Sequence, residues 1–244
     1  MKKKILSLCM VGALAATAVG GTLAYFTDTD AETNTFTVGK IDITLNEEFD
    51  EENANLVPGV DINKDVTITL ENGSENSYVW YTYAIPAVLD NDDAGKNIVH
   101  VNHAGANWDD YHENSKYWGE NQTEANPIEQ TWDVDYEVKK GVEIDGIEYN
   151  VYSTLYHGLM TADNSTTTVG MTNVYMDTKV DTLKNAEGNV VAGKYTINGE
   201  TIDYDFSNGV NIIVNAYGIQ ADGLSDTDSD GDIDVYDAYA LYNK

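Results

Sequence analysis

The sequence predicts an all-β protein, an antiparallel β-sandwich with jelly-roll-like connections, and three observations predict it. β-branched and aromatic residues alternate with polar ones at period two along much of the chain. Dipeptides that tolerate positive φ separate several of these runs. No helical period competes until the C-terminal end, so sheet packed on sheet is the architecture that buries the apolar faces.

In chain order the strand-like runs are residues 36–45, 66–70, 78–89, 132–138, 147–156, 172–180, 195–206 and 210–219. In 66–70, Val66, Ile68 and Leu70 share one face and Thr67 and Thr69 the other. Trp132, Val134, Tyr136 and Val138 repeat the pattern, with Asp133, Asp135 and Glu137 facing outward. Asn72-Gly73, Asp145-Gly146 and Asn198-Gly199 are the hairpin-type dipeptides. Residues 90–130 carry Gly, Asn, Asp and three histidines with little periodicity, which predicts a long excursion over the surface. The acids of residues 47–52 around Phe49 read as a solvated loop. Residues 235–242 read as a short helix with Tyr236, Tyr239, Ala240 and Tyr242 available for packing.

The chain has 244 residues, with 42 acids against 13 lysines, no arginine and a formal charge of −29. That balance argues against nucleic acid as a partner, because phosphate is bound by Lys and Arg. It argues equally against an anionic membrane surface. Lys2, Lys3 and Lys4, the apolar run 5–19 and the small residues Gly20-Gly21-Thr22-Leu23-Ala24 have the order of a signal peptide. The apolar run is shorter than the roughly 20 residues that span a bilayer, so cleavage, with no membrane attachment afterwards, is expected. Cleavage removes three lysines, which makes the charge more negative, and removes Cys9, the single cysteine. What remains has no disulfide, thiol nucleophile or thiolate metal site.

The C-terminal loop carries the sharpest chemical spacing. Asp226, Asp228, Asp230, Asp234 and Asp237 fall at positions 1, 3, 5, 9 and 12 of a twelve-residue loop, with Gly231 at 6, Asp232 at 7 and Ile233 at 8. This is a calcium-loop order: side-chain oxygens at 1, 3 and 5, a sharp turn at 6, a backbone carbonyl at 7 and a closing carboxylate at 12. A solvated acidic tail is the alternative. Asp at position 12 and no helix ahead of the loop look more like a dockerin-type half-repeat than a sensor EF-hand. A full dockerin has two repeats, so a structural Ca²⁺ clip is expected rather than cohesin docking. The expected organisation is a signal peptide at 1–24, a jelly-roll body at 25–223, and a calcium loop with a short helix at 224–244.

Three segments carry a family resemblance: Gly20-Gly21-Thr22-Leu23-Ala24-Tyr25-Phe26-Thr27-Asp28, Asn34-Thr35-Phe36-Thr37-Val38-Gly39-Lys40-Ile41-Asp42-Ile43, and Leu56-Val57-Pro58-Gly59. Together they resemble the TasA and camelysin family of secreted bacterial proteins, and Val79-Trp80-Tyr81-Thr82-Tyr83 and residues 215–223 look like its clostridial members. The resemblance implies export through a specialised signal peptidase that cuts before Tyr25, a jelly-roll fold, and assembly into extracellular matrix fibres. In such fibres the N-terminal segment of one subunit completes the sheet of the next. Here that donor is Tyr25 to Phe36, a Thr-rich, polar stretch able to pair through its backbone, with a homopolymer or an accessory matrix protein as partner.

The same family has been called a metallopeptidase. No His-Glu-x-x-His occurs, and His100, His103 and His112-Glu113 match no zinc signature, so Zn²⁺ is not expected. A Gly-x-Ser-x-Gly elbow is absent as well. The sequence therefore predicts a non-enzymatic matrix subunit. A camelysin-type metalloendopeptidase is the runner-up, and third is a cell-surface adhesion module using Trp108, Tyr111, Tyr117 and Trp118 for sugar stacking.

Overall fold

A computed structural model describes residues 40–49, 56–93, 95–104 and 132–243. Residues 1–24, expected to be a signal peptide, the expected donor stretch 25–36, His112 and the aromatics of 108–118 lie outside the described residues. The strands are β1 (Ile43–Glu48), β2 (Ile62–Asn63), β3 (Asp65–Leu70), β4 (Ser77–Pro86), β5 (Val99–His103), β6 (Trp132–Ile144), β7 (Ile147–Tyr156), β8 (Met171–Met176), β9 (Val180–Lys184), β10 (Val190–Ile197), β11 (Glu200–Thr201) and β12 (Ile213–Gln220). One α-helix, α1 (Val235–Tyr242), is present among the described residues. Every ladder is antiparallel.

The largest sheet has the order β12-β4-β7-β6, and β1-β3, β2-β8-β5 and β11-β10-β9 form smaller ones. The main core lies between the large sheet and the sheets of β3, β5 and β8. Val79, Tyr81, Tyr83 and Ile85 of β4 meet Val66 and Ile68 of β3, Val99 and Val101 of β5, and Met171, Val174 and Met176 of β8 there. The all-β class is thus observed, as period-two alternation requires of sheets with one buried face.

β4 has no polar face because both of its faces are covered. Its odd residues enter the main core, while Tyr78 and Trp80 enter a second core beneath α1 with Leu155, Val235, Ala238 and Tyr239. A strand between two layers reads as a continuous apolar run, which is why residues 78–89 extend past the true strand end at Pro86 into a 3-10 turn, Ala87–Leu89.

Two of the three expected hairpins form. Asp145 and Gly146 (φ 51° and 80°) join β6 to β7, and Asn198 and Gly199 (φ 50° and 81°) join β10 to β11, both with the double positive φ of a type I′ turn. Asn72-Gly73 also turns, with Ser74 N–H donating to the Glu71 carbonyl, but it passes the chain from β3 in one sheet to β4 in another. The run 172–180 is split by the turn at Asp177, which separates β8 from β9.

Three local expectations are corrected. Residues 90–130 are not wholly a surface excursion: β5 is a core strand, with His100 and His103 only 4% and 3% exposed. Alternating polar and apolar residues mark β5 only weakly, because histidine and asparagine fill positions that tertiary packing buries. Glu47 and Glu48 belong to β1, and Glu47 pairs with the buried Lys64 at 2.9 Å. In β6, shifts of register between Asp133 and Glu137 break the simple alternation, so Asp135 turns inward and Tyr136 lies on the α1 side.

Candidate metal centre at the C-terminal loop

The acidic loop is tied to the body of the fold at both ends. Before it, Ala221 N–H donates to the Asn76 carbonyl; at position 8 the Ile233 carbonyl accepts the Tyr78 hydroxyl. After it, α1 lays Val235, Ala238 and Tyr239 on the outer face of β4 and β7. Trp80 is the centre of this contact, stacked on Tyr217 at 5.8 Å and edge-on to Tyr239 and Tyr242 at 5.6 and 5.3 Å. Polar anchors surround it: Tyr236 Oη donates to Asp133 Oδ2 at 2.9 Å, and Tyr239 Oη bonds Ser153 Oγ at 2.7 Å and Glu137 Oε2.

Within the loop the carboxylates organise the backbone. Asp226 accepts Ser229 N–H at 2.6 Å and Gly231 N–H at 3.1 Å, Asp228 accepts Asp230 N–H at 3.2 Å, and Asp230 accepts Asp232 N–H at 2.9 Å. Gly231, at φ 100°, supplies the sharp turn at position 6 that other residues rarely adopt. Asp234 at position 9 is the N-cap of α1 and accepts Tyr236 N–H at 2.8 Å, completing a capping box with Asp237.

Asp226, Asp228 and Asp237, positions 1, 3 and 12, offer ligand oxygens that all lie within 4.8 Å of one another. Asp237 is 1% exposed and accepts the Thr227 hydroxyl at 2.7 Å, the Thr227 N–H and the Asp234 N–H. The Thr227 donors hold its carboxyl below the ordinary range. Asp228 is the converse: the Asp230 N–H pulls it down, but desolvation and the charges of Asp230, Asp237 and Asp234 raise it above the ordinary value. Three convergent carboxylates could hold a metal ion, and hard oxygens of this kind are the ligands that Ca²⁺ takes. Asp230, Asp232 and Asp234 stand outside this trio: Asp230 accepts the Asp232 N–H, and Asp234 caps the helix. Spacing marked the six acids; it gave no sign of Thr227 or Tyr78, whose roles depend on contacts made only after folding.

Among the described residues, His100, His103 and His157 do not join a group of convergent ligands. His100 Nε2 lies 3.1 Å from Asp177 Oδ2 with the ring stacked on Tyr175, His103 Nδ1 lies 3.0 Å from Tyr81 Oη, and His157 Nε2 lies 3.0 Å from Tyr236 Oη. Among the described residues, no helix is long and apolar enough to cross a membrane.

No curated protein matches the chain. The family described as camelysin metallo-endopeptidase matches residues 1–116. That stretch runs from the N-terminal leader-like segment through β1 and β4 to beyond β5, and it contains the Thr-Val-Gly-Lys-Ile-Asp-Ile and Val-Pro-Gly segments. Over these N-terminal residues the chain is similar to the camelysin family.

Proposed function

We propose that the protein is a secreted extracellular matrix fibre subunit, assembled by donation of residues 25–36 to the sheet of a neighbouring copy and fastened at its C-terminus by a structural Ca²⁺ loop. The observation that carries this reading is the edge of β12. Among the described residues β12 forms a ladder with β4 alone, in unbroken register from Ile213 to Gln220, and it contains no charged residue and no proline. Natural edge strands are usually blunted by bulges, lysines or proline. The opposite edge of the same sheet, β6, is blunted in this way by two irregularities of register and by Lys139 and Lys140. β1 packs Ile43 near Gly218 but makes no ladder with β12, so main-chain groups along an eight-residue edge are left for an added strand.

The test is negative-stain electron microscopy of the chain from Tyr25 onward and of the same chain lacking residues 25–36. The shortened protein is expected to remain a folded monomer while the longer one polymerises; fibres formed by the shortened protein would sink the reading. The family description favours a second reading, a metalloendopeptidase. A zinc enzyme of that kind uses imidazole ligands with an open position, whereas the group of convergent ligands among the described residues is all carboxylate. The fibre reading is therefore preferred.

A further inference from the structure

Asp135 occupies a positive-φ position (50°) within the irregular stretch of β6, a conformation that Asp tolerates but regular strands do not use. This turns its carboxyl inward, where Tyr83 Oη donates to Asp135 Oδ1 at 2.6 Å and Asp135 N–H donates to Thr154 Oγ1 at 3.3 Å. On β7, Tyr152 stacks against Tyr83 with centroids 4.8 Å apart and planes 7° from parallel, and its hydroxyl donates to Asp90 Oδ2. Asn150 Nδ2 donates to the same oxygen at 2.8 Å. Two carboxyls thus stand at the hydroxyl ends of one stacked pair of buried tyrosines.

Among the described residues no lysine pairs with either carboxyl. Facing them, β4 contributes Tyr81 and Tyr83, and β7 contributes Asn150, Tyr152 and Thr154. β5 contributes His103, whose ring lies 5.6 Å from Tyr83 and whose Nδ1 meets Tyr81 Oη. The nearby Asp92 is paired with Lys140 of β6 at the exposed surface. Neither Asp90 nor Asp135 joins an ion pair among the described residues. Two like charges in such a place are costly, and the cost is removed when one of them takes a proton. Asp90 Oδ2 accepts two donors, whereas the Asp135 carboxyl accepts the Tyr83 hydroxyl alone among the described residues. Burial, and after it the Asp90 charge, push the Asp135 carboxyl well above its ordinary range against the lowering effect of the Tyr83 bond.

We propose that Asp135 is a proton-holding group, half-buried beside the sandwich core, whose own contribution to stability is complete in acid and is lost as the pH rises. The sign follows from linkage. A carboxyl that binds its proton more tightly in the folded than in the unfolded chain contributes stability that is complete below the ordinary carboxylate value and is lost as the pH rises through the folded-state value.

Urea unfolding of the full chain between pH 5 and 9 tests this, alongside Asp135→Asn and, as a control at an exposed site, Asp163→Asn. Relative to Asp135→Asn, the unfolding constant of the parent chain is expected to rise by up to about tenfold per pH unit until Asp135 is ionised. The control should keep the parent profile, and parallel profiles for the parent and Asp135→Asn would overturn the proposal. A readout independent of that variant's folding is carbon-13 NMR of the aspartate carboxyls in the parent chain. The Asp135 signal is expected to titrate well above the ordinary range, and higher still in Tyr83→Phe; titration within the ordinary range would also overturn it.

Discussion

Asp237 shows how much one carboxylate can carry. It closes the acidic loop at position 12, completes the capping box of α1, and takes both donors of Thr227 while almost fully buried. Its depressed titration means that it contributes stability present at neutral pH and lost as the pH falls through its lowered folded-state value. Titration calorimetry of the parent chain should show Ca²⁺ binding that vanishes in Asp226→Ala plus Asp230→Ala; unchanged heat would count against the calcium clip. Asp237→Ala should abolish the heat too and, in chelator, lower stability by about 1–3 kcal/mol, because it orphans buried donors as well as a ligand site.

At the scale of elements, α1 and the sheet beneath it form a unit that neither would form alone. An eight-residue helix is marginal by itself in water, so its order comes from docking Val235, Ala238 and Tyr239 on Tyr78, Trp80 and Leu155. Trp80→Ala should cost about 3–5 kcal/mol in urea unfolding, the range for removing a buried aromatic. It should also release α1, seen as increased hydrogen exchange at residues 235–242; a loss of stability with α1 still protected would show that the helix holds by other contacts. β6 and β12 make the complementary point about edges. They bound the same sheet, yet only β6 carries the bulges and lysines that discourage pairing.

For the whole molecule the formal charge of −29 sets the conditions for association. Like-charged bodies repel until screened within a Debye length, about 8–10 Å at ordinary salt. Assembly followed by light scattering should therefore be favoured by acid, divalent cations or high salt, and independence from all three would contradict a charge barrier. The Asp135 proton also favours acid, opposite in sign to the contribution of Asp237.

Features decided by a few consecutive residues were legible in the sequence. The faces of β3, the type I′ turns at Asp145-Gly146 and Asn198-Gly199, the acidic loop and α1 all follow from period, φ tolerance and spacing. Other features needed the tertiary structure, because they depend on groups that meet only when distant strands pack. The inward turn of Asp135 comes from a register shift against β7 and a bond from Tyr83, fifty-two residues away in the chain. The burial of His100 and His103 comes from the pairing of β5 with β8. The docking of α1 rests on Tyr236 and Tyr239 reaching Asp133 and Glu137, more than a hundred residues earlier. By itself the sequence determined an acidic, antiparallel β-protein with a calcium-type loop. Only folding decided which of its acids converge, which cap a helix and which meet buried tyrosines, since each choice is made by neighbours that the chain brings together from far apart.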